Sequence, residues 1–232
     1  MEGCEHNRIM RPTRRIFLGG SAAFGLAGGK GAGAVPSQAR VILLGTKGGP
    51  TPSALRAPAC TAILVDSHLY LVDCPNGVAG QLAKAGFRLD QLSQVFVTHN
   101  HSDHVIDAGS LMVLAWGSGL NSTVTLYGPP PLKKILESSL AASAYDPSAR
   151  MREEGRAPLM PLIQVQERIE GGDVYGDSRV RVTSALVDHY TVKPAFAYRF
   201  DTPGRYCAIT FRKPTFRYPP IADIQTARDG AP

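Results

Sequence analysis

Residues 99–104 read HNHSDH, so three of the chain's six histidines and one aspartate fall within six positions. A neutral ring nitrogen and a carboxylate oxygen are donors that zinc accepts, three or four at a time, with a position left open for water when the site is catalytic. His99 and His101 follow the apolar run SQVFVT and are two residues apart. In extended backbone, side chains two apart leave on the same side. Asp103 and His104 then fall where the chain turns into the next apolar segment, and the two can address a second ion a few ångströms off. A ligand pair, a loop and a second ligand pair suit two-metal hydrolysis. A further histidine, His189, stands in VDHYTVKPAFAYRF between two strand-like segments, and its position alone fits a ligand and a surface residue equally. His68, in DSHLY, reads as a solvated turn residue.

These groups need strands and helices to hold them. ARVILLG is a short apolar strand running into a Gly/Pro loop, and TAILVD and LYLVD bracket SH as a hairpin. GVAGQLAKAG has apolar residues at helical spacing and a closing Gly86. SQVFVT is a buried strand that delivers the histidines, and VIDAGSLMVLAWGSG is an apolar helix behind it. STVTLYGPPP reads as a strand stopped by prolines and PLKKILESSLAASA as another helix. From LIQVQERI onward the segments SRVRVTSALV, AFAYRF and RYCAITF are strands, with DTPG as a tight turn. Strands alternating with helices, followed by a run of strands, predict a layered α/β fold with mixed sheets. One domain is expected over residues 38–211.

The chain has 232 residues, 44% hydrophobic and 19% charged, enough for a sizeable core. Its net charge of +6 sits mostly at the ends: residues 1–34 carry +3 and residues 212–232 carry +2, leaving +1 for the body. The high pI is therefore weak evidence for a nucleic-acid partner. TRRIFLGG places paired arginines before an apolar run, Ile16 to Ala27, too short to span a membrane. With Ala32-Gly33-Ala34 as a cleavage-like pattern, residues 1–34 read as a twin-arginine signal peptide. The expectation is a soluble chain, handled by the twin-arginine export machinery and delivered to the periplasm. Cys60, Cys74 and Cys207 lie in or beside apolar segments, where buried thiols are the ordinary reading. Residues 212–232, with four prolines and no period, read as an irregular tail.

HNHSDH matches the H-x-H-x-D-H signature of the metallo-β-lactamase superfamily. Around it, VILLGTKGGPTP, YLVDCPNGV, VFVTHNHSDH, VTLYGPP and ALVDHYTVKPAFAYRF stand in the order of the branch that holds ribonuclease Z and arylsulfatase-like hydrolases. The resemblance implies an αβ/βα sandwich with two zinc ions at one edge of its two sheets. It implies that His99, His101 and His189 hold the first ion, and that Asp103 and His104 serve the second. Asp103 would also orient a metal-activated hydroxide, as the catalytic residue. Asp73, in LVDC, corresponds to the aspartate before a glycine-rich turn and is expected to be structural; here Cys74-Pro75 follow it.

The same resemblance calls for an S-G-D-T-like block after GRYCAITF, with a metal-bridging aspartate, and a last histidine beyond it. Phe211 runs instead into RKPTFRYPP, and no histidine follows His189. The expectation is a C-terminally truncated chain whose second half, and second metal site, are incomplete. Ribonucleases Z also carry a long basic arm after the YRF-like strand, where this chain has only DTPG between Phe200 and Arg205. With an export-type leader and a nearly neutral body, the main expectation is a hydrolase of small-molecule esters, arylsulfatase-like or general, with nucleic acid an unlikely partner. The alternatives are a ribonuclease Z-like nuclease that processes tRNA 3′ ends and an inactive zinc-binding remnant.

Overall fold

Apolar residues on consecutive strands of this chain point alternately into two different interiors, and the fold follows from that. The computed structural model describes residues 39–202 and the backbone of a strand at residues 205–209. The twin-arginine-like segment and the tail over residues 212–232 lie outside the described residues.

The first sheet has six strands in sequence order: β1 (Ala39–Gly45), β2 (Cys60–Val65), β3 (His68–Val72), β4 (Leu92–Phe96), β5 (Val124–Gly128) and β6 (Ile163–Glu167). β1 to β3 form an antiparallel meander, and β3 to β6 are parallel. Asp66, in the two-residue turn between β2 and β3, takes the left-handed φ of 55° that tight hairpin turns favour. Parallel neighbours need crossovers, and helices supply them: α1 (Val78–Lys84), then α2 (Ser102–Val105) with α3 (Ala108–Gly117), then α4 (Leu132–Ala142) with α5 (Tyr145–Glu154). The second sheet is antiparallel throughout, in the order β10-β9-β8-β7, from β7 (Gly172–Gly176), β8 (Arg181–Leu186), β9 (Phe196–Thr202) and β10 (Arg205–Ile209).

Period-two alternation assigns each strand residue to a face. Leu64, Leu71, Val95 and Leu126 pack against Leu82, Leu111, Met112 and Leu136 of the helices. Their neighbours Ile63, Tyr70, Phe96 and Tyr127 face the second sheet and meet Val182, Phe196, Tyr198 and Phe200. The first sheet is thus buried on both faces, which is why its strands read as unbroken apolar runs. Phe96 anchors the inter-sheet layer, stacked on Tyr127 at 5.2 Å and edge-on to Phe200 at 5.1 Å. Such ring pairs add roughly 0.5–1.5 kcal/mol each beyond their buried area. Buried tyrosine hydroxyls find partners across the layer: Tyr198 donates to the Val97 carbonyl at 3.0 Å and Tyr70 to Asp177 at 3.2 Å.

The sequence reading differs from this fold in local ways. The segment read as one helix after the histidines is broken at Asp107 into α2 and α3, because the Asp107 carboxylate accepts from the Gly77 N–H at 2.7 Å and its own N–H donates to the Cys74 carbonyl at 3.1 Å. Helix α5 and strand β7 had too weak a pattern to be read. His68 opens β3 and is half-buried rather than lying in a solvated turn. Cys60 and Cys74 are free and buried, as expected, and burial pushes both thiols up. No helix follows β7 among the described residues, and none of the described helices is long and apolar enough to cross a membrane.

Candidate metal centre

Strands β3 and β4 run parallel and end together, with Val72 opposite Phe96. The chain beyond each end builds the site. After β3 comes Asp73, whose φ of 67° lies in the left-handed region. Its N–H donates to the Phe96 carbonyl at 2.9 Å, and the next N–H, of Cys74, donates to the carbonyl of His104 at 2.7 Å. After β4 come Val97 and Thr98, so His99 stands three residues beyond the last strand residue rather than in the strand itself. Two contacts from the other sheet fix this exit: Tyr198 on Val97, and the Phe196 N–H donating to the Thr98 carbonyl at 2.8 Å.

The buried Asp73 carboxylate organises the surrounding donors. It accepts from the Thr98 N–H at 2.8 Å, from the Thr98 hydroxyl at 3.0 Å, and from Nδ1 of His104 at 2.7 Å. With its proton given to Asp73, the Thr98 hydroxyl oxygen can accept from Nδ1 of His99, 3.1 Å away. Both histidines then carry their proton on Nδ1 and leave Nε2 as a bare ligand nitrogen. This is the support metal-ligating histidines commonly receive, and it fixes ring orientation as well as tautomer. Burial lowers the His104 pKa, but the hydrogen bond and charge of Asp73, helped by Asp103, outweigh it and leave the ring raised. His99 goes the other way. Burial, followed by the neighbouring rings of His104, His189 and His101, presses its pKa down to about 2, so it is neutral at any ordinary pH.

His99, His101 and His189 converge, each offering one ligand nitrogen within 4.8 Å of the others. His99 Nε2 and His101 Nδ1 are 3.0 Å apart, and His101 Nδ1 and His189 Nε2 are 3.1 Å apart. Nitrogens about 2.0–2.1 Å from a tetrahedral zinc lie roughly 3.3 Å from each other, so the spacing fits one ion with little adjustment. An all-imidazole set also suits zinc by softness. Asp103 and His104 sit beside the triad, with His104 Nε2 3.6 Å from an Asp103 carboxylate oxygen. Among the described residues the triad is the only convergent group of three or more histidines, cysteines or acids.

The structure therefore brings together all five residues singled out in the sequence, His99, His101 and His189 in one cluster and Asp103 with His104 in the adjoining pair. Sequence reading missed Thr98 and undervalued Asp73, which tie the two groups to each other. The available signal was the placement of Asp73 at the end of an apolar strand that had to lie beside the one ending in Thr98.

Two sheets with helices packed on one of them, and histidines gathered where strands end, define a metallo-β-lactamase fold. Human tRNase Z, short form, superposes with a TM-score of 0.60 over 73% of this chain and 67% of that one, at 19% identity. The metallo-β-lactamase fold protein YhfI of Bacillus subtilis superposes at 0.52 over 73% and 61%, at 18% identity. The family model of anti-Pycsar protein Apyc1 matches residues 43–210, and the chain belongs to that family. Curated relatives include ribonuclease Z of Mycolicibacterium gilvum (strain PYR-GCK), 32% identical over 71% of this chain and 58% of that protein. Ribonuclease Z of Mycobacterium sp. (strain KMS) is 35% identical over 69% and 56%. The chain thus spans less than three-fifths of the length of these relatives.

These ribonuclease relatives overturn the expectation of a small-molecule ester hydrolase, and with it the expectation that nucleic acid is an unlikely partner. The twin-arginine-type leader on which the expected export partnership rests lies in residues 1–34, outside the described residues. The small-molecule expectation rested on the export-type leader, on DTPG standing where a basic arm would be, and on the low net charge of the body, and the last is a poor measure of phosphate binding. A body near +1 can still present cations locally, and Lys133, Arg168 and Lys193 all stand on the loops and helix starts that follow the strands or on the His189 loop. Contacts with phosphates depend on such local charges.

Proposed function

We propose that this chain is a zinc-dependent phosphodiesterase acting on RNA, of the kind that cuts precursor tRNA at its 3′ end. One observation carries the reading: a convergent histidine triad on a fold whose curated relatives are ribonucleases Z. His99, His101 and His189 would hold one zinc ion, and Asp103 with His104 would serve a second. Bound zinc supplies Lewis acidity, which makes water nucleophilic near neutral pH and offsets charge on a phosphoryl oxygen. The protein's own part is positional and protonic. Asp73 and Thr98 would hold His99 and His104 with the proton on Nδ1. The Asp103 carboxylate, 3.6 Å from His104 Nε2, would orient the attacking water and take its proton.

The test is incubation of the full chain, with and without zinc, with a precursor tRNA bearing a 3′ trailer. Zinc-dependent endonucleolytic release of the trailer, lost in His99→Ala, is the expected result. Intact precursor at enzyme excess, with stoichiometric zinc bound, would reject the reading and favour a zinc-binding protein that turns over no RNA.

A further inference from the structure

Beside His189 the surface opens into a cleft of about 510 Å³, with Ile169, Leu186 and Pro194 among its apolar walls and Asp188 and Lys193 as its charged groups. Ile169 is 66% exposed and Leu186 55% exposed, so two large aliphatic side chains are held in solvent next to a polar centre. Exposed aliphatic side chains lining a cleft of this size make it a candidate binding surface.

The cleft and the metal centre are mechanically one piece. The loop that carries His189 is closed by the Val187 N–H donating to the Ala195 carbonyl at 2.9 Å, and inside it the Val192 N–H donates to the carbonyl of His189 at 3.1 Å. Its exit residue, Phe196, is tied to Thr98, next to His99. A group seated against Leu186 and Pro194 is therefore carried by the same loop that carries His189. Tyr190, 64% exposed, lies next to His189 with ring centroids 6.0 Å apart and adds an aromatic face on the same loop.

We infer that this cleft receives a nucleobase adjoining the scissile phosphodiester, packed face-on against Ile169, Leu186 and Pro194, with Lys193 pairing with a neighbouring phosphate. A base is planar and apolar on its faces, so it can pack against aliphatic walls, and the Tyr190 ring on the same loop is of the aromatic kind on which unpaired bases commonly stack. The single cation supplies charge complementarity to the backbone. Asp188 disfavours phosphate on its own side and offers an acceptor to base N–H groups, which orients the nucleotide with its phosphate toward Lys193. The inference rests on the RNA phosphodiesterase reading above.

The experiment measures single-turnover cleavage by the zinc-loaded full chain on a precursor tRNA, and on versions made abasic on either side of the mapped cleavage point. Removing the base should slow the wild-type chain about tenfold on one side of the cut. The double variant Ile169→Ser/Leu186→Ser should slow cleavage of intact RNA by a similar factor and leave cleavage of that abasic RNA unchanged. Lys193→Gln should reduce the slope of log rate constant against log salt by about one phosphate contact. Unchanged zinc stoichiometry verifies that the variants are folded, and both aliphatic positions are exposed enough to accept serine. Equal losses on intact and abasic RNA, or no loss on either, overturn the inference and leave the phosphodiesterase reading standing. A wild-type chain that cleaves no RNA overturns both.

Discussion

Asp73 occupies a backbone conformation that costs a non-glycine residue roughly 1–3 kcal/mol, and what that conformation secures is a carboxylate aimed at three donors in the metal centre. Asparagine in its place keeps the size and one acceptor but loses the charge that Nδ1 of His104 meets. Asp73→Asn should therefore lower zinc affinity by about 10–100-fold, as loss of such supporting carboxylates does, with little change in secondary structure. Competition with a chromophoric chelator measures it, and unchanged affinity would leave Asp73 with a purely structural role. At this scale the candidate ligands were legible in the sequence because four of the five lie within six consecutive positions. The Asp73–Thr98 link was not, because it joins residues 25 apart through a parallel strand pairing that no local pattern encodes.

The turn between β7 and β8 is held by Asp177. Its carboxylate accepts from the N–H groups of Arg179 at 2.7 Å and Val180 at 2.9 Å and from the Tyr175 hydroxyl at 3.0 Å, and it reaches Tyr70 of the first sheet. Burial raises the Asp177 pKa, but these donors and the Arg179 charge outweigh it, and the net shift is downward. A depressed carboxylate adds stability that is fully present above its unfolded value of 3.8, because the unfolded chain binds more protons as pH falls. That stability is lost as pH drops through the lower folded value. Asp177→Asn should be less stable than the parent at neutral pH, and its denaturation midpoint should fall less steeply between about pH 5 and about pH 3. Parallel curves for the two proteins would show that Asp177 contributes nothing to acid sensitivity. At the element scale the strands and longer helices were legible, because the first sheet is apolar on both faces and its connections carry helical periodicity. Helix α5 was not: it buries little beyond Pro147 and is held at the surface by Arg150 between Asp146 and Glu154.

Across the whole molecule, the histidine triad joins the exit of β4 in the first sheet to the loop between β8 and β9 in the second. An ion bound there is held by the native arrangement and not by the unfolded chain, so zinc should stabilise by mass action, about 2.7 kcal/mol at a free concentration 100 times Kd. Thermal unfolding in zinc and in chelator measures the shift, which should vanish in His189→Ala. An equal shift in that variant would place the stabilising ion elsewhere. The layered architecture was legible from the succession of elements, whereas the expected substrate class, drawn from the leader, the short DTPG turn and the net charge, was not supported by the relatives, and net charge in particular averages away the placement of individual lysines and arginines.

Cys60 and Cys74 lie directly beneath this edge, 4% and 0% exposed, with the Cys60 thiol donating to the Asp73 carbonyl at 3.2 Å. Shielded thiols of raised pKa react only when the structure around them opens. Their rate of reaction with an added thiol reagent is thus an internal clock for excursions of the strand ends that carry Asp73, one that needs neither ligand nor turnover.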